Sequence, residues 1–205
     1  MIVSSIRQTA PGRLTVTLES GEEIKTTLGV VTDRRLFTGR DLDGEAVAAL
    51  RQDSARALAR EKALSFVSQR QMSAKELRDK LKQKGFDEDT AEYCVQWLLD
   101  HGLLDEESYA AAIVRHYAAK GYGAGRIRSE LMRRGIPREL QEDALGTMPE
   151  PDAKIDRFIA SRLKDPEDRA QIQKISNALY RRGYGWDQIR DALRRYSTSV
   201  YEEST

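Results

Sequence analysis

Leu14, Val16 and Leu18 alternate with polar residues at a period of two, the pattern of a strand with one face buried. A strand from Ile2 to Arg7 precedes it across the turn Thr9-Ala10-Pro11-Gly12. A third follows the turn Glu19-Ser20-Gly21-Glu22 and runs from Ile24 to Leu28. An antiparallel meander is the economical arrangement. From Leu42 onward the period changes to that of a helix. Asp43 can cap a helix in which Ala46, Val47 and Leu50 share a face, and another helix follows through Leu58, Ala59, Ala63, Phe66 and Val67. Everything beyond them reads as helical.

The helical part repeats itself. Leu77 to Phe86, Ile127 to Ile136 and Ile175 to Tyr184 align at offsets of 50 and then 48 residues. Each string has an apolar residue, another four positions later, a cation, a glycine and a further apolar residue. This is a helix end. With the glycine in a left-handed conformation just past the helix, the residue four before it and the residue after it come into contact. The contacts pair Leu81 with Phe86, Leu131 with Ile136 and Leu179 with Tyr184. Downstream, Val95, Leu145 and Leu193 stay in register, as do Cys94, Ala144 and Ala192. Upstream, Ala63, Ile113 and Ile159 match, and so do Val67, Tyr117 and Leu163, once the third unit is allowed a short insertion.

Each unit is therefore three short helices. Ser73 and Glu76 form a capping box, Asp87 and Asp105 precede helices they can cap, Pro137 suits a first helical turn, and Asp165-Pro166 combines a cap with a proline at the first helical position. Units of this length stack on their neighbours to complete their cores. The predicted fold is mainly α: three tandem three-helix repeats forming an elongated, curved body, preceded by a small β-rich N-terminal segment. The head covers 1–42, a connecting helix and the first repeat 43–104, the second repeat 105–148, and the third repeat with a short polar tail 149–205. Met148-Pro149-Glu150-Pro151 reads as a hinge between the second and third units.

Charge and composition narrow what such a body does. The 205 residues carry 34 Lys+Arg against 33 Asp+Glu, a formal net charge of +1, and no segment of the chain is a polycation. Coating nucleic acid by bulk attraction is thereby disfavoured, while local basic stripes remain open. No apolar run approaches a bilayer span, and the first residues lack the basic start and apolar core of a signal peptide, so a cytoplasmic protein without membrane contact is expected. Cys94 is the single cysteine, and His101 and His116 are the only histidines, which leaves no disulfide and no conventional zinc site. No metal or cofactor is expected. Nor does the sequence show a nucleophile with its base or paired catalytic carboxylates. Gly121-Tyr122-Gly123-Ala124-Gly125 lacks the Lys-Ser/Thr and the preceding strand of a phosphate loop, and reads as a helix–helix linker. The expectation is a binding protein, not an enzyme.

Three strings carry a family resemblance: Gln71-Met72-Ser73-Ala74-Lys75-Glu76-Leu77 with Leu81 and Lys84-Gly85-Phe86; His101-Gly102-Leu103-Leu104-Asp105-Glu106-Glu107-Ser108-Tyr109-Ala110; and Gly121-Tyr122-Gly123 leading into Ile127, Leu131 and Arg134-Gly135-Ile136. Together they resemble the RecX family of bacterial recombinase regulators, over residues 55–197. The β-rich head with Gly39-Arg40-Asp41-Leu42 is similar to the variable N-terminal extension of some members. The resemblance implies a non-enzymatic modulator of the RecA recombinase that lies in the groove of its filament on single-stranded DNA. Such a protein limits filament growth, ATP turnover and strand exchange; inhibition is the expected direction. The expected state is a monomer, with single- or double-stranded DNA as a further partner left open.

Candidate partner- or DNA-binding residues are the cations Arg78, Lys82, Lys84, Arg126, Arg128, Arg133, Arg134, Arg181, Arg182, Arg190 and Arg194. Two readings stand beside each other for them. Those in a last helical turn complement the helix dipole, whereas stripes such as Arg78 and Lys82, spaced i, i+4, can act together on acidic protein or phosphate. A helix-turn-helix-like DNA- or RNA-binding protein acting without a recombinase is the rival class. In the first unit the helix after the turn starts Asp87-Glu88-Asp89 and continues through Glu92, the wrong sign for phosphate; the third unit, with Trp186, Gln188, Arg190, Arg194 and Arg195, is more permissive. Tyr117, Tyr122, Tyr180, Tyr184, Trp97 and Trp186 are expected mostly in cores or helix-end packing rather than as stacking platforms for bases. Cys94 is expected buried and inert.

Overall fold

The computed structural model describes residues 1–148 and 152–203. Three strands, β1 (Val3–Ala10), β2 (Arg13–Leu18) and β3 (Glu23–Thr27), form an antiparallel sheet in sequence order. Val16 pairs with Ile6 on one side and Ile24 on the other. Val3, Val16, Leu18 and Ile24 are buried, as the alternation requires. Two differences from expectation follow. The chain leaves the sheet at Thr27, whose hydroxyl accepts the Val30 N–H and starts a short helix, α1 (Leu28–Asp33). Leu28, read as a strand end, is therefore helical and exposed. The two helices expected between Asp43 and Val67 are one, α2 (Gly44–Val67), because nothing between Leu50 and Leu58 breaks a helix. Asp43 caps it, accepting the Ala46 N–H at 2.7 Å.

That single helix serves two cores. Its first half puts Val47, Leu50 and Ala57 into the core of the sheet, and Ser54 on it donates to Thr26 Oγ1 at 2.8 Å in the buried contact. Arg51 grips Glu22, Arg34 grips Asp53 and Arg13 grips Glu61 at 2.6–2.8 Å. Its second half contributes Ala59 and Ala63 to the first repeat, completed by α3 (Ala74–Gln83) and α4 (Glu88–Asp100). The second repeat is α5 (Glu106–Ala119), α6 (Ala124–Arg133) and α7 (Arg138–Gly146); the third is α8 (Asp152–Ala160), α9 (Arg169–Arg181) and α10 (Trp186–Glu203). Each of the three buries its own apolar cluster, centred on Leu77, Leu81 and Leu98, on Ile127 and Leu131, and on Ile155, Ile159 and Leu179.

The three helix ends are built alike. Gly85, Gly135 and Gly183 have φ of 90°, 74° and 90°. Phe86, Ile136 and Tyr184 return their N–H groups to the carbonyls of Leu81, Leu131 and Leu179 at 3.1–3.3 Å, the closing bond of a Schellman motif. The Ser73/Glu76 capping box is present, and Asp87 accepts the Thr90 N–H. Two caps shift. Pro137 stands at the N-cap of α7, one residue before the first helical turn. The cap of α9 is Asp168, which accepts the N–H groups of Ala170 and Gln171, while Asp165 holds the preceding turn through the Glu167 N–H. Asp168 wins because its carboxylate reaches two unsatisfied donors of the first turn. Of the expected hinge, Pro149 to Pro151 lie outside the described residues, as do Ser204 and Thr205 of the polar tail.

Candidate interaction surfaces

In the first repeat the cations on the outer face of α3 are met by acids from α4. Arg78 pairs with Glu92 and stands 3.9 Å from Glu88, which Lys82 also engages; Lys75 pairs with Asp79 at 2.7 Å. The carboxylates that made this unit a poor phosphate reader are thus the counter-ions of its own basic stripe. Lys84 is exposed at the C-terminal cap of α3.

The second repeat copies the main pair. Arg128 and Glu142, equivalent to Arg78 and Glu92, form a bidentate contact at 2.9 and 3.3 Å. Glu130 anchors the helix end. Its buried carboxylate receives Arg133 and Arg134, each at 2.7 Å, and Arg134 also bonds the Tyr109 hydroxyl. Arg133, and then Arg134, hold the Glu130 carboxyl down at a pKa of about 2 against the opposing effect of burial. Arg126 is exposed beside Gly183.

The third repeat breaks the pattern. Alignment puts Tyr180 and Trp186 at the positions of Lys82 and Glu88, and Ser176 and Arg190 at those of Arg78 and Glu92. Tyr180 and Trp186 stack with ring centroids 4.9 Å apart and are about half exposed, at 53% and 49%. The expectation of core packing holds for Tyr184, which is buried, and in part for Trp97, which packs against the first core, but fails for this pair. Trp186 flanks a shallow depression lined by Ser176, Ile189, Arg190 and Leu193. Arg190 contacts Asp187, one turn away on its own helix. Arg194 lies exposed further along α10. Gln188, a possible base reader by sequence, is used to accept the Gly185 N–H at the start of that helix. Arg181 is exposed; Arg182 is half-buried with its guanidinium 4.8 Å from the centre of the Phe158 ring.

Sequence reasoning missed how the second and third repeats meet. Gly123 and Gly125 donate their N–H groups to the carbonyls of Arg182 and Gly183, both at 2.9 Å. A Cβ on Gly123 would stand 2.4 Å from the Gly183 oxygen, and one on Gly183 2.1 Å from the Arg126 nitrogen. The glycine-rich linker is therefore a backbone docking surface. Its spacing was visible, but the partner glycine some 60 residues away was not.

Models of the first, second and third three-helix domains of RecX match residues 59–98, 105–145 and 159–193. The chain belongs to the RecX family. Regulatory protein RecX of Clostridium botulinum (strain Eklund 17B / Type B) is 30% identical over 162 residues, spanning 75% of each chain. RecX of Xanthomonas axonopodis pv. citri is 35% identical over 137 residues, 65% of this chain and 85% of its own. A crystal structure of a regulatory protein RecX superposes with a TM-score of 0.73 at 25% identity, covering 93% of this chain and 98% of the other. The RecX structure from Lactobacillus salivarius shares the fold with a TM-score of 0.63 over 70% of this chain. RecX membership makes this a regulatory protein, and the ion-paired first and second repeats beside an aromatic third show how three copies of one RecX motif have diverged. Cys94 is buried, as expected: its thiol donates to the Arg56 carbonyl, and burial pushes its pKa up to about 11.

Proposed function

We propose that the chain binds filaments of the RecA recombinase on single-stranded DNA and restrains them by occupancy, obstructing the next protomer or the incoming duplex. ATP turnover, filament growth and strand exchange fall as a result. It acts by binding rather than catalysis, as a cytoplasmic monomer. Family membership supports the partner. Among the described residues no helix is long and apolar enough to cross a membrane, consistent with a partner met in solution.

The observation that carries a protein contact is the third repeat's outer face. Where its siblings hold the equivalent pairs Arg78–Glu92 and Arg128–Glu142, it presents Trp186 stacked on Tyr180 with Arg190 alongside. Trp, Tyr and Arg are the residues enriched where protein interfaces are anchored, and the two aromatic rings bury large area at low entropic cost. Two stacked rings lose little more freedom on docking. Arg190 and Arg194 are the candidate cations on the helix that carries Trp186, and Arg78, Lys82, Arg128, Arg133 and Arg134 are ion-paired within their own repeats.

The test is anisotropy of the labelled protein titrated with preformed recombinase filaments. Trp186→Ala is expected to weaken binding roughly tenfold or more, a loss of about 2 kcal/mol at a hot spot, with the melting temperature nearly unchanged because the ring is half exposed. Wild-type affinity in this variant would rule out the aromatic face as the contact.

A further inference from the structure

Aligning α9 on α6 places Ala178 where Glu130 stands, and Arg181 and Arg182 where Arg133 and Arg134 stand. In the second repeat that glutamate fills the space beside the helix and neutralises both arginines. In the third the carboxylate is gone and the space is open. The resulting groove, of about 560 Å³, is lined by Gln171, Lys174, Ile175, Ala178 and Arg181 of α9 and by Arg162 and Lys164 of the segment before it. Gln171, Lys174, Ala178 and Arg181 recur at i, i+3, i+7 and i+10, one stripe of about 15 Å along the helix.

The electrostatics are one-sided. Arg162, Lys164, Lys174 and Arg181 put four cations on the groove, and among the described residues the lining holds no carboxylate. Among the described residues none of the four is ion-paired there. Arg162 lies over the Phe158 ring at 4.0 Å and donates to the Ser161 hydroxyl. Two acids of the preceding turn are used by the backbone: Asp168 caps α9 and accepts the Gln171 side-chain amide at 2.8 Å, and Asp165 holds the turn. A polar rim of like charges over an apolar floor, Ile175 and Ala178, needs a ligand with anions in a line and an uncharged edge between them.

We propose that this groove binds the phosphodiester backbone of a single nucleic-acid strand. A strand carries one negative charge per nucleotide at regular spacing, with sugar edges to lie on Ile175 and Ala178. The carboxylates of an acidic protein surface have no such fixed repeat, whereas the phosphates of a strand do. The site is distinct from the Tyr180–Trp186 stack, which leaves α9 on the other side of its buried face, so α9 offers protein contact on one flank and phosphate contact on the other.

The full chain is titrated against labelled oligo(dT) at several salt concentrations, without recombinase, so that this outcome does not depend on the filament proposal. Binding is expected, with log K falling against log salt at a slope near −2 to −3, about 0.7 for each phosphate neutralised on a single strand. Ala178→Glu, which restores the second repeat's carboxylate, is expected to weaken binding at least tenfold and flatten the slope by about 1 or more. Lys174→Glu, at an exposed position where folding is not at stake, should do the same. No binding of the wild type, or wild-type affinity and slope in both variants, overturns the proposal. So does displacement of the oligonucleotide by poly-glutamate as readily as by unlabelled oligo(dT) at equal charge, which would assign the groove to an acidic protein surface.

Discussion

Glu130 shows how one carboxylate organises a helix end. It is 9% exposed yet charged, because two guanidiniums reach it at 2.7 Å. A buried charge with its partners removed costs more than the pair contributes. Its folded-state pKa lies near 2, below the ordinary 4.5. The unfolded chain therefore takes up the proton first, so the stabilisation is complete above about pH 5 and is lost as pH falls toward 2. Glu130→Gln should lower unfolding free energy at pH 7 by about 1–2 kcal/mol, discounted because Arg133 is mostly exposed, and should flatten the pH dependence between pH 5 and pH 2. Urea titrations at pH 7 and pH 3 check both. A variant that loses stability equally at the two pH values would mean that packing, not charge, is what Glu130 supplies. Arg134, half-buried between Glu130 and Tyr109, belongs to the same device, and reversing its charge should damage the repeat itself.

At the scale of elements, the same helix-end string does two jobs. Gly85 and Gly183 share a φ of 90°, so alanine at either strains the backbone by about 1–2 kcal/mol. Around Gly85 a Cβ meets nothing within 4 Å, whereas at Gly183 it meets the backbone of Arg126. Gly183→Ala should therefore lower the melting temperature distinctly more than Gly85→Ala, by about a further 2 kcal/mol or more of stability, since backbone cannot step aside as a side chain can. Equal shifts in thermal unfolding would show that the glycine contact between α6 and the end of α9 carries no load. The glycine turns, the capping box and the buried leucines were legible in the sequence because each rests on residues within one or two helical turns. The short helix α1, the continuity of α2 and the docking of Gly123 on Gly183 were not. The first two depend on the absence of a breaker and on a single threonine cap, and the third joins residues far apart in the chain. The loss of Glu130's counterpart at Ala178 could be read from the repeat alignment, but the groove it leaves needed Arg162 and Lys164, which no periodicity brings to that face.

For the molecule as a whole, the repeats divide labour by charge. The first and second pair Arg78, Lys82, Arg128, Arg133 and Arg134 with their own carboxylates, and the third exposes an aromatic pair and a carboxylate-free groove on opposite flanks of α9. A chain of net charge +1 can thus hold a locally basic site without becoming a polycation. The division predicts that Trp186→Ala relieves restraint of the recombinase, while Arg78→Ala, which breaks an exposed pair, costs under about 1 kcal/mol of stability and leaves restraint intact. The most direct measurement of the central claim is ATP hydrolysis by the cognate RecA on single-stranded DNA as this protein is titrated in, at concentrations where it scarcely occupies naked DNA. A dose-dependent fall in turnover, blunted by Trp186→Ala, is the predicted result. Turnover unchanged at saturating protein would contradict it.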